Sequence, residues 1–250
     1  MTYNFFNQPI ENIYSKPSLK SEVSSQILYG EKFKILSRNK DWIKIKTCFD
    51  NYTGFIKKNK FIKIHNPTYK VFLAKSIIFQ KIKKKFIRTK KNLYFSSTIS
   101  NLEVEKDYIR FSENKWIKKK DLKSIDYIEQ NYKKILKLFL NKKYLWGGKS
   151  VDGIDCSALI QLFFKFNKVF FPRDTKDQIR YCRKKLNQKF QDGDIIFWKG
   201  HVGLCLNKKK LIHAYGPRKK VLIMNIKKAI NLIYKTAYLK VKKISNIKKY

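Results

Sequence analysis

The apolar residues of this chain change period at Ser124, and that change constrains the fold more than any other feature. Before it, they fall in short runs broken by polar turns. Ile43 and Ile45 alternate with Trp42, Lys44 and Lys46, the period-two mark of a half-buried strand. QILYG, KFKILSR, WIKIKT and YTGFIKK, with turns at 39–41 and 50–51, predict a small β-barrel over residues 1–66. Residues 67–124 repeat the pattern more weakly, and IRFSENKWIKKKDL parallels WIKIKTCFDNYTGFIKKNKF as the closing strands of a related unit. The proline-containing HNPTY stretch joins the two.

After Ser124 the spacing becomes helical. Ile125, Ile128, Tyr132, Ile135, Leu136 and Phe139 recur every three or four residues and predict an amphipathic helix. A glycine-rich turn, YLWGGKSVDGIDC, leads into a second, buried helix with Leu159, Leu162, Phe163 and Phe166 on one face. A PRDT turn and the short helical TKDQIRYCRKKL follow. Then come strands at GDIIFWK, HVGLCL, KLIHAYG, KVLIMNI and TAYLKVKKI. Helices followed by an antiparallel meander predict an α+β domain over 125–250.

Composition excludes several classes. Apolar residues form 43% of the 250 and aromatics 15%, too much for a disordered chain. No apolar run approaches the ~20 residues that cross a bilayer. The first residues, MTYNFFNQPIENIYSKP, show no basic stretch followed by an apolar block, so the chain reads as cytoplasmic. Lys and Arg number 58 against 18 Asp and Glu, a formal net charge of +40, and only seven are Arg. Such a field attracts polyanions without specificity. The lysines are spread along the chain and accompany heavy use of Ile, Asn, Phe and Tyr. Compositional drift and a selected polyanion site both stay open.

The four cysteines, 48, 156, 182 and 205, form no CxxC pair and suggest no disulfide framework. Zinc on Cys182, Cys205, His201 and His213 would lack the close ligand pairs of structural sites. Cys48, Cys182 and Cys205 therefore read as small buried hydrophobes. Cys156 reads differently. Asp155 suits an N-cap, which puts Cys156 in the first helical turn, where free N–H groups and the positive helix end draw a thiol toward thiolate. A backbone N–H beside it would also stabilise an oxyanion. Gly148 and Gly153 suit the sharp bend before that helix. The competing reading is a structural cysteine.

Two of the three histidines fall in one predicted hairpin, HVGLCLNKKKLIHAYG. A three-residue loop at 207–209 sets Gly203 opposite His213. It leaves His201 on the same face one diagonal step away, at roughly 7 Å, with Gly203 leaving room for a helix end. A two-residue loop would split the histidines across both faces. Thiolate, imidazole and an orienting polar group are the parts of a papain-type nucleophile. Cys156 would be the nucleophile, His201 the base and His213 the orienter.

On these residues the chain resembles the NlpC-type papain-like cysteine peptidases, which cut bacterial cell-wall peptides. The resemblance rests on YLWGGKSVDGIDCSALIQ (144–161), FPRDT (171–175), DGDIIFWKGHVGLCL (192–206) and LIHA (211–214). Ala158 departs from the glycine usual after the Cys-Ser pair. DNYTGFI (50–56) resembles the bacterial SH3-like domains that accompany one cytosolic branch, the γ-D-glutamyl-L-diamino acid endopeptidases, or dipeptidyl-peptidase VI. The resemblance implies two SH3-like barrels before a papain-like catalytic domain. It implies no cofactor, and a murein peptide substrate with a free L-Ala amine, met in cell-wall recycling. Asp155, Ser157 and Tyr144, with Tyr52 from the SH3-like part, match the positions that hold that amine. Trp146 and Trp198 read as core residues, Arg173 and Asp174 as structural. Two rivals remain: a non-catalytic module holding anionic wall polymer or nucleic acid, and an acyltransferase or amidase with the same triad. No motif encodes the oligomeric state or selects diaminopimelate over lysine.

Overall fold

The computed structural model describes residues 3–186 and 189–250. It divides into two compact units, Met1–Ile128 and Glu129–Tyr250. The architecture is α+β, antiparallel sheets with few helices.

The first unit is built of β-strands, with one 3-10 turn at Lys119–Asp121. Its opening strands are β1 (Tyr3–Phe5), β2 (Ile10–Tyr14), β3 (Val23–Leu28), β4 (Lys32–Asn39), β5 (Trp42–Thr47) and β6 (Thr53–Lys57). They form one sheet ordered β1-β4-β5-β6-β2-β3. The alternation in WIKIKT sorts as its period dictates: Ile43 and Ile45 are buried with Phe6, Ile13, Ile27, Phe33 and Ile56.

The second set is β7 (Tyr69–Val71), β8 (Lys75–Ile82), β9 (Lys85–Tyr94), β10 (Thr98–Ile99), β11 (Glu103–Glu105), β12 (Tyr108–Ser112), β13 (Lys115–Lys118) and β14 (Leu122–Ser124). These make a five-stranded and a three-stranded sheet around Val71, Ile78, Leu93, Ile109 and Ile117. Tyr29 of the first set completes that core, its ring edge-on to Phe111 at 5.2 Å. His65, in the predicted joint, bonds Thr98 through Nε2 and Ser100 through Nδ1. The two β-modules thus share one compact unit.

The second unit contains α1 (Tyr132–Lys137), β15 (Lys149–Ser150), β16 (Gly153–Ile154), α2 (Cys156–Phe166) and α3 (Thr175–Tyr181). The strands β17 (Asp194–Trp198), β18 (His201–Cys205), β19 (Lys210–Tyr215) and β20 (Lys220–Asn225) follow, then α4 (Ile226–Ala237) and β21 (Lys243–Asn246). The sheet runs β20-β19-β18-β17-β21, so the meander is closed by a last strand returning beside β17. Helix α2 packs against β18 and β19.

Three expectations are corrected here. The helix predicted from Ile125 begins only at Tyr132. Ile125 donates its N–H to Thr68 O, Glu129 donates to Asn167 Oδ1, and Asn131 caps the helix by accepting from Lys133 N–H at 3.1 Å. Ile128, assigned to the apolar stripe, is exposed. The strand expected over TAYLKVKKI starts at Lys243, because α4 runs through Ala237. The apolar spacing that signals α4 is present: Ile226, Ala229, Ile230 and Ile233 lie at i, i+3, i+4 and i+7 and pack on the sheet. Finally, Cys48 is half-buried, unlike Cys182 and Cys205. All four cysteines are free.

Candidate active site

The site begins with a turn that only glycine makes easily. Gly147 has φ +72°, and a Cβ on Gly148 would stand 2.4 Å from Gly153 O. The chain then pairs Lys149 with Ile154 and delivers Asp155 to the N-terminus of α2. Asp155 accepts from Ala158 N–H at 2.8 Å, the cap its sequence predicts.

That carboxylate has further partners. Arg173 grips it with both terminal nitrogens, Nη1 to Oδ1 at 3.0 Å and Nη2 to Oδ2 at 2.6 Å. Gly147 N–H and the Ser157 hydroxyl also donate to it. Arg173 Nη1 donates in addition to Ser157 Oγ at 2.9 Å. Arg173, Asp155 and Ser157 are all buried. The structure therefore joins Asp155 and Ser157 to Arg173, the Asp155–Arg173 contact being a buried bidentate pair in keeping with the structural reading of Arg173.

Cys156 lies next in the chain, only 4% exposed. Thr175 Oγ1 stands 3.9 Å from its sulfur, and the Val202 N–H acts on it from β18, one residue past His201. Burial and the Asp155 carboxylate nevertheless push the thiol up to about 11. This corrects the expectation of a thiolate at rest: the apolar enclosure outweighs the helix end. No hydrogen bond joins the sulfur to either imidazole among the described residues.

The histidines meet as the three-residue loop requires. Leu204 pairs with Ile212, Cys205 with Leu211, and Leu206 N–H bonds Lys210 O at 2.8 Å. His201 Nε2 lies 3.0 Å from His213 Nδ1. Both rings are buried, which pulls His201 down to about 3 and His213 to about 4, so both are neutral near pH 7. His213 Nε2 is buried without a hydrogen-bond partner. Both faces of this hairpin are buried: Cys205, Leu211 and Tyr215, on the histidine face, pack with Ile226, Ala229 and Ile233 of α4. The nearest atoms to where a Cβ on Gly203 would stand are His213 Cβ and a Leu211 methyl, each at 3.4 Å.

The remaining predicted residues divide. Tyr144 is half-buried, and burial, reinforced by the neighbouring Cys156 and Asp155, raises its phenol above the usual range. Its ring packs on Gly216. Tyr52 belongs to the other unit and donates its hydroxyl to Ser24 O at 3.2 Å. Trp198 is core, but Trp146 is 56% exposed. The turn that carries it is closed by Gly148 N–H on Leu145 O. Two residues given no role from sequence stand out. Thr175 reaches the sulfur, and Tyr215 stacks on His213 at 5.0 Å and 14° while its hydroxyl meets Thr236. The signal for Tyr215 was its position two residues beyond His213 on one strand. Among the described residues, no group of three or more His, Cys, Asp and Glu stands ready to hold a metal ion, and no helix is long and apolar enough to cross a membrane.

Residues 141–242 match the NlpC/P60 family, and residues 13–61 match the bacterial dipeptidyl-peptidase Sh3 domain. The chain thus carries an NlpC/P60 domain preceded by a bacterial dipeptidyl-peptidase SH3 domain. Dipeptidyl-peptidase 6 of Lysinibacillus sphaericus is 27% identical over 229 residues, covering 81% of this chain and 84% of that protein. The gamma-D-glutamyl-L-lysine dipeptidyl-peptidase of Bacillus subtilis (strain 168) is 25% identical over 234 residues, covering 83% and 77%. The crystal structure of an NlpC/P60 family protein from Bacillus cereus ATCC 10987 superposes with a TM-score of 0.80. It covers 98% of this chain and 99% of that one at 17% identity, a likeness of fold.

Proposed function

We propose that this chain is a cysteine peptidase that hydrolyses the bond from γ-D-Glu to a diamino acid in released peptidoglycan peptides bearing a free N-terminal L-Ala. The observation that carries the reading is the His201–His213 contact of 3.0 Å on the β18–β19 hairpin, against which packs α2, the helix that Cys156 opens. The name of one long relative, a gamma-D-glutamyl-L-lysine dipeptidyl-peptidase, supports the substrate class, and that of the other supports a dipeptidyl-peptidase. A free L-Ala amine requires a wall peptide already released from its glycan, which fits recycling in the cytoplasm.

In this mechanism Cys156 and His201 are neutral at rest. His201 takes the thiol proton on Nδ1 as Sγ attacks the γ-carbonyl carbon. For Nδ1 to accept, Nε2 must carry hydrogen and donate to His213 Nδ1, which fixes the ring. His213 then carries its own proton on Nε2, the buried atom without a partner. The Val202 N–H beside the sulfur is suited to the developing oxyanion. As the tetrahedral intermediate collapses, the C–N bond breaks and the His201 proton passes to the departing amine. Water, deprotonated by His201, then hydrolyses the thioester and restores the thiol. Ser157 and Tyr144 border the nucleophile and are assigned to the substrate amine. Asp155 acts on it through the field of its Arg173 pair.

The test is turnover of L-Ala-γ-D-Glu-diaminopimelate and its lysine counterpart, each with a free and an acetylated amine. Cys156→Ala should remove turnover of every peptide and leave the circular dichroism spectrum unchanged. Retained turnover would refute the assignment, and equal cleavage of acetylated peptides would refute the amine requirement.

A further inference from the structure

The outer face of the first sheet gathers three lysines that strand register forces together. Tyr3 pairs with Lys34 across β1 and β4, and Lys34 pairs with Lys46 across β4 and β5. One row along, Phe5 pairs with Lys32, whose carbonyl accepts the Cys48 N–H at 2.9 Å. Tyr3, Lys32, Lys34, Lys46, Cys48 and Asn51 line a concavity of about 220 Å³. With a water's share of liquid near 30 Å³, that is room for about seven waters or one small anion.

The cluster is costly as it stands. Lys34 and Lys46 are like charges directly opposite, an arrangement that destabilises a sheet. Among the described residues, no carboxylate lies within ion-pair distance of any of the three lysines. Asp50, next to the lining residue Asn51, is turned to the Thr47 hydroxyl and the Tyr52 N–H. What partly holds the lysines is the edge aromatic. The Lys32 ammonium lies 3.8 Å from the Tyr3 ring centroid and that of Lys34 lies 5.0 Å from it. Burial raises the Cys48 thiol, and the ammoniums of Lys32, Lys34 and Lys46 partly oppose that rise.

We propose that this concavity binds a small, multiply charged anion of the phosphate class, its oxygens taken by Lys32, Lys34 and Lys46. Tyr3 and Asn51 add neutral donors at the rim. The site lies within the first unit and is independent of the peptidase reading. The shared chemistry is a clustered phosphoryl group, and free and polymeric sources are separable.

Pyrophosphate binding is measured by calorimetry at about 0.15 M salt, where long-range fields are largely screened. Two variants remove the same charge: Lys32→Gln/Lys34→Gln/Lys46→Gln, and Lys83→Gln/Lys84→Gln/Lys85→Gln at the exposed β8–β9 turn. The first should weaken pyrophosphate at least about tenfold and the second by less than about twofold. A single-stranded oligonucleotide, read through the whole +40 field, should weaken equally with both. Removing the like-charge pair should leave the melting temperature unchanged or higher. Should the triple variant not fold, Lys46→Gln alone should weaken binding about threefold. Cys48 supplies a second readout. In a Cys156→Ala background, pyrophosphate should slow its reaction with the anionic disulfide DTNB about fivefold. No pyrophosphate binding, equal loss in both triple variants, or unchanged Cys48 reactivity would overturn the site. A loss of oligonucleotide alone in the first variant would assign it to a polymer instead.

Discussion

Two opposing fields act on the Cys156 sulfur, and their magnitudes decide its state. A helix N-terminus offers about 1 kcal/mol to a thiolate. The rise from 9 to about 11 corresponds to about 3 kcal/mol against it, from burial first and the Asp155 carboxylate second. Burial wins. The position of this cysteine was legible because Asp155 announces a cap and a cap fixes the first turn. Its enclosure was not, since Thr175 and Val202 come from distant stretches of chain. The sign for reactivity follows: with the thiol pKa raised, the thiolate fraction grows tenfold per pH unit until the pH passes that value. Alkylation of Cys156 by iodoacetamide, followed by mass spectrometry of its peptide, should therefore climb steadily from pH 6 to pH 9 without levelling. A plateau below pH 7 would mean a thiolate–imidazolium pair at rest. It would contradict the neutral resting pair that burial of Cys156, His201 and His213 implies.

At the scale of elements, what could be counted was legible and what depended on a partner was not. The β18–β19 register follows from loop length alone, so Gly203 opposite His213 was readable. The start of α1 was not. The helical spacing of Ile125 and Ile128 is real, but the Ile125 N–H bonds Thr68 O and Ile128 is exposed. The link that most controls the site is the one between the α2 N-terminus and the PRDT turn. Arg173 and Asp155 are buried and bidentate, so removing one charge strands the other. Asp155→Asn should cost about 3–5 kcal/mol in urea denaturation, far more than the about 1 kcal/mol of a lost cap, because asparagine still caps. Adding Arg173→Met should recover part of that loss. A cost below about 1 kcal/mol would show that the guanidinium finds other acceptors and that α2 is not held by this pair.

The whole molecule carries +40 on 250 residues, and only at this scale does the lysine excess act on stability. Each exposed lysine is individually harmless. Together they repel, and the repulsion is larger in the compact state than in the expanded chain. Salt shortens the reach of that field from about 10 Å at 0.1 M to about 3 Å at 1 M. The melting temperature should accordingly rise by about 3–6 °C between 0.05 and 0.5 M NaCl, equivalent to about 1–2 kcal/mol for a chain of this size. A general salt effect on apolar burial would produce a rise of the same sign, and a charge-reduced variant separates the two. Replacing ten exposed lysines spread over both units by glutamine should raise the low-salt melting temperature and flatten its salt dependence together. If the slope survives that replacement, self-repulsion is not what salt relieves. The lysine excess would then be energetically silent except where strand register crowds it, as at Lys34 and Lys46.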